Sequence, residues 1–408
     1  MENPPKVRFL DRTTPPHIVT LILLAGLSAL AMNVFLPSLP KMTEHFETKY
    51  RVMQLSVAIY LAVNAALQIV IGPISDKFGR RPVILWGVGL FLLATLGCIF
   101  APNITVFLAF RMCQAVVVTA MVLSRAVARD MVPQDQAASM IGYVTMGVAV
   151  VPMIGPVIGG VLDEIFGWQS TFWMLFLLGA AILWMSWRDL GETSVSRGLS
   201  LGQQFREYPE LFQSPRFWGY ALTCAFSSGA FFAYLGGAPF VGTEVFALSP
   251  AALGFFFGAP AVGYFAGNGL SGKLSARVGI NKMIFWGCIL NAAGLGTALL
   301  VFAAGFQSEW TFFGFMTFVG LGNGMTIPNA TAGALSVRPH LAGTASGLSG
   351  AIMIGGGAAL SALAGTLLQP GTGAWPLLWL MFLTGVASII SILLVLHREK
   401  RLAGLGTL

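Results

Sequence analysis

Charge is scarce in this chain of 408 residues. Asp, Glu, Lys and Arg make up only 10% of it, whereas hydrophobic residues make up 56%. Ordinary globular domains carry about 25% charged residues, so this composition argues against a soluble fold. Histidines and cysteines are also few, with four of each. The cysteines lack metal-ligand spacing and the histidines do not cluster, so the sequence predicts no metal site.

Motifs of enzymes are absent from the sequence as well. It contains no Walker A run for phosphate binding, no H-E-x-x-H zinc motif and no nucleophile elbow. We therefore expect no enzymatic activity, no ATP hydrolysis and no cofactor. The net charge of +7 does not indicate nucleic-acid binding, because no basic patch is interleaved with aromatic residues.

Twelve stretches of about 20 residues carry almost no charge, which is the length that crosses a bilayer. Backbone groups in lipid must be hydrogen-bonded within a segment, so each stretch is predicted to be a membrane-spanning helix. The lipid bilayer is therefore an expected partner. Spans 1 to 12 are predicted at residues 18–40, 52–72, 82–101, 104–124, 138–162, 168–187, 217–241, 250–271, 283–304, 311–335, 342–368 and 375–396.

The basic residues predict the orientation of these spans. Of the 23 Lys and Arg residues, all but four fall on one side of the predicted topology. Lys41, Lys49 and Arg51 fall on the other side, and Arg111 lies within span 4. By the positive-inside rule, both termini and the 188–216 loop are cytoplasmic. A cleaved signal peptide at residues 1–31 is the alternative, but removing it would break the alternation of charge.

A charged turn between spans 2 and 3 recurs between spans 8 and 9. Two glycines, a serine and a basic residue return at an offset of 200, and this recurrence indicates two related halves. In a membrane protein, such halves are typical of a two-bundle transporter. The predicted domains are a six-helix bundle at 1–187, a cytoplasmic linker at 188–216, and a second bundle with a short tail at 217–408. The first copy is Gly72, Ser75, Lys77 and Gly79, and the second is Gly272, Ser275, Arg277 and Gly279.

Three motifs carry a resemblance to a known family. Residues 72–81 resemble the loop 2–3 signature G-x-x-x-D-[RK]-x-G-[RK]-[RK] of the major facilitator superfamily. Arg111 and Gln114 resemble its R-x-x-Q-G signature, with Ala115 in place of Gly. Span 5 resembles the antiporter signature of the twelve-helix drug exporters, with Val151 as one departure. Its matching residues are Gly142, Gly155, Pro156, Gly159 and Gly160.

Four shorter segments, at 33–40, 125–130, 166–169 and 214–218, are similar to the bicyclomycin and chloramphenicol resistance branch, which includes florfenicol exporters. The resemblance implies an all-α integral membrane protein with the major facilitator fold, 12 transmembrane helices in two pseudo-symmetric six-helix bundles. It further implies a monomer in the bacterial inner membrane that exports small lipophilic antibiotics of phenicol or bicyclomycin type by alternating access and proton antiport.

Two alternatives for transport stay open. The substrate is either such a lipophilic drug or an anionic metabolite that uses Arg111 as its counter-ion. The protein is either a proton antiporter or a facilitator without proton coupling. A membrane receptor that transports nothing is disfavoured, because no soluble module is attached.

Residues around the first charged turn are expected to gate the cytoplasmic side. Glycines permit a tight turn and a close approach of helices, and Asp130 is the natural partner of an arginine in the turn. The resemblance implies that this cluster latches the cytoplasmic gate; solvated charges placed by topology alone are the alternative. Ala276 replaces the acid in the second copy, so the latch is predicted to be one-sided. The gating residues are Gly72, Asp76, Gly79, Arg80, Arg81 and Asp130.

Ten polar residues within the spans are expected to bind substrate or to take part in coupling. Arg111 is the only full charge placed well inside a span, where an arginine costs about 2.5–3.5 kcal/mol on insertion scales. The polar residues of spans 7 and 10 either face the cavity or join helices to each other. Asn33 stands where the branch typically has Asp, the expected proton carrier, so the carrier stays open. The ten are Asn33, Arg111, Gln114, Tyr220, Thr223, Ser227, Tyr234, Asn323, Thr326 and Asn329.

Span 5 combines prolines with small residues. Pro152 and Pro156 are expected to bend the helix, and its glycines are expected to let neighbouring helices approach closely. The predicted result is a flexible but leak-tight seam between the two bundles, with ordinary membrane packing of small residues as the alternative.

Overall fold

A computed structural model describes residues 7–131, 144, 151–193, 209–338 and 342–404. In these ranges the regular secondary structure is entirely helical. Ten of the described helices are long and apolar enough to cross a membrane. The predicted fold class, an all-α chain of membrane-spanning helices, is thereby confirmed. Gly142 and residues 194–208 of the predicted linker lie outside the described residues.

The first half contains the helices of spans 1 to 6. Span 1 is interrupted by a 3₁₀ turn at Leu36–Ser38, and span 4 by another at Ala115–Val117. The helices are Ile18–Asn33 and Leu39–His45 (span 1), Tyr50–Met53 and Leu55–Phe78 (span 2), Arg80–Ile99 (span 3), Ile104–Gln114 and Val118–Asp130 (span 4), Val151–Phe166 (span 5) and Gln169–Asp189 (span 6).

The second half contains the helices of spans 7 to 12. The ten helices that are long and apolar enough to cross a membrane do not include those of spans 5 and 10. The Gly, Asn and Thr residues of span 10 lower the mean hydropathy of its long helix. The described part of span 5 is short. The helices are Pro215–Phe240 (span 7), Pro250–Phe256 and Ala259–Val278 (span 8), Ile280–Ala303 (span 9), Glu309–Ser336 (span 10), Ala342–Leu367 (span 11) and Trp375–Gly404 (span 12).

The repeated turn has the same backbone in both halves. Gly79 separates the helices of spans 2 and 3 with φ +94°, and Gly279 separates those of spans 8 and 9 with φ +90°. Glycine adopts such values readily, whereas other residues do not. The amide of each glycine donates to the carbonyl of the serine four residues earlier, at 2.8 Å and 2.9 Å. Gly72 is different: it lies inside helix Leu55–Phe78, where an added Cβ would meet no atom within 4 Å. In this conformation Gly72 therefore forms neither the turn nor a close helix contact, and its part in a gate stays a prediction.

The segment before span 1 is fastened to the end of span 6. Asp189 is fully buried, and its carboxylate accepts hydrogen bonds from the amides of Leu10 and His17 at 2.7 Å and 2.8 Å. The hydroxyl of Thr20 donates to it at 2.6 Å. We call the end of the molecule that contains this contact and the two glycine turns the terminal end, and the opposite end the distal end.

Buried apolar residues form three clusters in the described part of the chain. One cluster lies at the distal end and draws on both halves, for example Phe35 and Phe107 from the first and Tyr234 and Phe313 from the second. The other two lie toward the terminal end, and each belongs to one half alone. The halves therefore share a core at the distal end and have separate cores at the terminal end.

Candidate functional site

Arg111 is the centre of a buried polar network in the first half. Its side chain has no exposed surface. One guanidinium nitrogen donates to Gln114 Oε1 at 2.7 Å and another to the Ala31 carbonyl at 3.0 Å. Nε donates to the Ser56 carbonyl at 3.4 Å. These bonds tie span 4 to spans 1 and 2, and they bring Arg111 and Gln114 together as their three-residue spacing predicts.

Two aromatic rings enclose the same guanidinium group. Its central carbon lies 4.2 Å from the ring centre of Phe35 and 4.0 Å from that of Tyr60, which is the geometry of cation–π attraction. Gln114 continues the network by donating to Thr95 Oγ1 of span 3 at 2.7 Å. Every hydrogen-bond and ring partner of Arg111 in the described residues is electrically neutral. The positive charge is thus well solvated by dipoles and rings but is not paired with a carboxylate.

Asn33 ends the first helix of span 1, beside this network. Its amide nitrogen donates to the Ala29 carbonyl at 2.7 Å, two residues from the carbonyl that accepts from Arg111. The side chain is almost fully buried. Asn33 is therefore two residues from a hydrogen-bond partner of Arg111 in the chain, and its own donor is used within its helix; its role beside Arg111 stays a prediction.

The second half contains a neutral counterpart of this network. Ser227 of span 7 donates to Asn323 Oδ1 of span 10 at 2.7 Å. Asn291 of span 9 donates to the Ser227 carbonyl at 3.2 Å. All three residues are buried, and sequence reasoning missed Asn291. Its signal was a lone amide inside an apolar span, where polar groups turn toward the protein interior.

The other predicted polar residues of spans 7 and 10 are also engaged with the protein. Asn329 donates to Ser271 Oγ of span 8 at 2.7 Å, and Thr326 donates to the Ile284 carbonyl of span 9 at 3.5 Å. Thr223 donates to a carbonyl of its own helix. Of the two interpretations of this set, the structure supports hydrogen bonds between helices for Ser227, Asn323, Thr326 and Asn329.

The two predicted tyrosines lie at different depths. The Tyr220 hydroxyl donates to Asn281 at 2.8 Å and to Glu399 at 3.0 Å, and Glu399 also pairs with Arg216 at 2.8 Å. Tyr220 thus belongs to the terminal end, and its expected place in a mid-membrane cavity is wrong. It lies only one and a half turns from the start of its helix at Pro215, which explains its depth.

Tyr234 occupies a different environment, in the distal core. Its ring centre lies 5.0 Å from that of Phe257 and 6.2 Å from that of Phe313. The ring is fully buried, and its hydroxyl has no hydrogen-bond partner among the described residues.

The charged turn forms part of the predicted latch. Arg80 Nε lies 3.3 Å from Asp130 Oδ2, and a second guanidinium nitrogen of Arg80 donates to Ser75 Oγ. The predicted pairing of Asp130 with an arginine of the turn is therefore present. Asp76 lies in helix Leu55–Phe78, and its side chain is outside the described part. Ile280 stands in the second copy where the first has Arg80, in keeping with a one-sided latch.

Sequence reasoning missed an acid that binds the charged turn. Glu192 accepts from the amides of Arg80 and Arg81 at 2.9 Å and 3.2 Å, and so caps the first turn of span 3, where a negative charge is favourable. Arg81 in turn donates to the carbonyls of Leu190 and Trp187 at 2.8 Å and 3.1 Å. Residues 190 and 192 lie in the predicted linker, yet they bind the first half.

Span 5 makes the close contacts that its glycines predict. A Cβ on Gly159 would overlap the Val34 carbonyl of span 1, and one on Gly160 would overlap the Pro250 carbonyl of span 8. A Cβ on Gly155 would lie 3.1 Å from Leu30. Gly254 of span 8 returns the contact, because a Cβ there would overlap the carbonyl of Pro156.

Polar contacts close the same end between the two halves. Gln54 Nε2 donates to the carbonyl and hydroxyl of Ser361 at 2.6 Å and 2.7 Å. The Tyr50 hydroxyl donates to the Gly236 carbonyl at 2.8 Å, and the Ala251 amide donates to Glu164 at 3.2 Å. We call these contacts and the glycine contacts of spans 5 and 8 the distal seam. Sequence reasoning missed Gln54, whose partner Ser361 lies 307 positions later in the chain.

Comparisons with known proteins agree with this architecture. The family model described as Major Facilitator Superfamily matches residues 21–362 and 246–405. The chain is 28% identical to Multidrug resistance protein D of Escherichia coli (strain K12), over 91% of this chain and 94% of the relative. It is 29% identical to the Chloramphenicol resistance protein of Pseudomonas aeruginosa, over 93% and 90%.

A solved structure resembles the fold over nearly its whole length. It is that of a bacterial homolog of the human lysosomal transporter Spinster, in an inward-facing and occupied conformation. The TM-score is 0.72 at 17% identity, covering 94% of this chain and 96% of the other. At that identity the likeness concerns the fold alone.

Proposed function

This chain belongs to the Major Facilitator Superfamily, and we propose that it exports small lipophilic antibiotics of phenicol or bicyclomycin type by alternating access. The resistance proteins among its relatives support the substrate class. The distal seam is the observation that carries the mechanism. It joins the halves at one end, while the buried cores at the other end stay separate.

This asymmetry supports alternating access. A transporter that is closed at one end can admit a substrate only from the other. The positive-inside pattern supports a cytoplasmic terminal end with both chain termini, so the end at which the described cores stay separate would face the cytoplasm, from which an exporter loads. We place the protein in the bacterial inner membrane, as a monomer without cofactor, nucleic-acid partner or enzymatic activity.

The substrate would lie between the Arg111 network of the first half and the Ser227, Asn323 and Asn291 network of the second. Transporters of this architecture hold the substrate near the bilayer midplane, between their halves. Tyr234 offers a buried hydroxyl without a partner at the distal side of this region. The expected coupling ion is the proton, although Asn33 cannot titrate.

The charge of Arg111 favours a second candidate. An anionic metabolite would find a counter-ion in this guanidinium, which is not paired with a carboxylate of any described residue. Transport by facilitated diffusion would need no proton carrier, which also suits Asn33. Saturable uptake of an anion that is lost in Arg111→Ala would favour this candidate over drug export.

Susceptibility of an efflux-deficient bacterial host tests the proposal. The chain would be expressed, and growth inhibition by chloramphenicol, florfenicol, bicyclomycin and unrelated lipophilic drugs would be measured. Raised resistance that disappears in Arg111→Ala, at equal abundance in the membrane, is the expected result. Unchanged susceptibility across the panel would contradict drug export. Everted vesicles with and without a pH gradient would test proton coupling separately.

A further inference from the structure

We propose that this transporter selects against lipophilic cations and takes uncharged compounds, because the interior of its membrane domain carries an uncompensated positive charge. The inference rests on the proposed export function and sharpens its substrate class. It assigns to Arg111 the role of a residue that determines specificity through charge.

Arg111 is surrounded by neutral groups in the described part of the chain. Its hydrogen-bond acceptors are the carbonyls of Ala31 and Ser56 and the amide oxygen of Gln114. The titratable side chains close enough to interact with it are Tyr60 and Cys98, and both are neutral near pH 7. The cation therefore keeps its full charge without an acidic partner in the described residues.

The second half supplies no compensating acid at this depth. Its buried network consists of a serine and two asparagines, Ser227, Asn323 and Asn291. In the sequence, none of the 16 acidic residues lies in the middle of a predicted span. The fully buried acids of the described part lie at span ends. Asp163 is near Lys41 at 3.6 Å, and Asp189 binds the segment before span 1.

A second cation faces the boundary between the halves. Arg125 of span 4 is exposed, and it lies close enough to Tyr264 of span 8 to interact with it electrostatically. The two residues belong to different halves, and they lie on the terminal side of Arg111. A substrate that enters from the terminal end would therefore pass one positive group and bind near another.

The size of the effect follows from Coulomb's law. A ligand charge about 10 Å from Arg111, at an effective dielectric constant of about 20, changes binding by about 15-fold. Binding of a cation is weakened by this factor, binding of an anion is strengthened by it, and binding of an uncharged drug is unchanged. Rare intramembrane charges of this kind usually mark the substrate or ion pathway.

A pair of ions with the same shape isolates the charge. Purified full-length protein would bind radiolabelled chloramphenicol, and tetraphenylphosphonium and tetraphenylborate would compete for the site. We expect the cation to compete at least tenfold more weakly than the anion. In Arg111→Gln the two ions should compete within about threefold of each other. The matched control Lys49→Gln, which removes an exposed distal charge, should leave the ratio unchanged.

A second variant keeps Arg111 in place in case its removal prevents folding. Asn33→Asp puts a carboxylate two residues from the Ala31 carbonyl that accepts from Arg111, and it should raise the apparent affinity for the cation about tenfold. Equal competition by both ions in the wild type would overturn the inference while leaving drug export intact. Exclusion of the cation that persists unchanged in both variants would also overturn it. A wild type that binds no chloramphenicol and confers no resistance would instead contradict the proposed function.

Discussion

The two ends of the molecule are held together by different chemistry. At the distal end, contacts run between the halves and are mostly neutral, as in the Gln54–Ser361 hydrogen bonds and the Gly254–Pro156 approach. At the terminal end, the ion pairs between described residues run within a half. Examples are Arg80 with Asp130 in the first half and Arg216 with Glu399 in the second.

This difference distinguishes the contacts that must break during a transport cycle from the contacts that must persist. Contacts between the halves form and break at every turnover, and a neutral hydrogen bond contributes only about 0.5–1.5 kcal/mol net. Contacts within a half have to survive the motion, and the charged groups at the terminal end serve this purpose. Each half can then rotate as a rigid body. The following substitutions test this division, beginning with the largest expected effect.

The glycine contact of spans 5 and 8 should be the most sensitive point of the distal seam. In Gly254→Ala, the added methyl group would overlap the Pro156 carbonyl, so the seam cannot close as it does here. We expect transport to fall more than tenfold and a cysteine placed inside the distal end to react faster with an impermeant maleimide.

The matched control for this substitution is Gly269→Ala, in the same span, where an added Cβ meets no atom within 4 Å. It should transport like the wild type. Normal transport in Gly254→Ala, at equal abundance, would show that the seam does not have to close as tightly as it does here.

Breaking the Arg80–Asp130 ion pair at the terminal end should have the second largest effect. Arg80→Ile installs the residue of the second copy and removes the ion pair with Asp130 and the hydrogen bond to Ser75. Loss of one member of a partly buried pair costs about 1–3 kcal/mol, so we expect a lower Tm in detergent and transport reduced about fivefold.

Arg277→Gln serves as the comparison for Arg80→Ile, since it removes an exposed charge from the second copy of the turn. Little change in its Tm or transport is expected. Equal effects of the two substitutions would contradict a one-sided latch.

Gln54→Ala should shift the balance between the two conformations without unfolding either half. It removes two hydrogen bonds of the distal seam, worth about 1–3 kcal/mol together, and so favours the distally open state about 5- to 150-fold. Distances between spin labels at the distal ends of spans 2 and 11 would report the shift. Ser361→Ala removes only one of the two acceptors and should have the smaller effect; an unshifted distance distribution in both variants would argue against Gln54 as part of the gate.

Substitution of Glu192, the acid that caps span 3, should have the smallest effect. Glu192→Gln keeps an oxygen acceptor for the amides of Arg80 and Arg81 but removes the charge that favours a helix N-terminus, for a loss of about 0.3–1 kcal/mol. The thermal unfolding midpoint should fall slightly, and further in Glu192→Ala. A rise in stability in either variant would mean that the carboxylate strains the turn.

Much of the fold and a smaller part of the site could be predicted from the sequence. Apolar length identifies helices, and a spacing of three residues places Arg111 beside Gln114. The sign of charge suggested the Asp130 and Arg80 pair. Gln54 and Glu192 were missed because their partners lie 307 and 112 residues away along the chain, where no local period applies. Tyr220 was misplaced because a polar face gives the direction of a side chain but not its depth in the membrane.

The buried carboxylate of Asp189 also has a consequence for how the protein is made. The donors that it satisfies lie 169 to 179 residues earlier in the chain. At about 5–20 residues per second of synthesis, those donors wait roughly 10 to 35 s for their acceptor to leave the ribosome. During that interval the start of span 1 is inserted but not fastened. The first half can therefore complete its terminal end only after its sixth helix has entered the membrane.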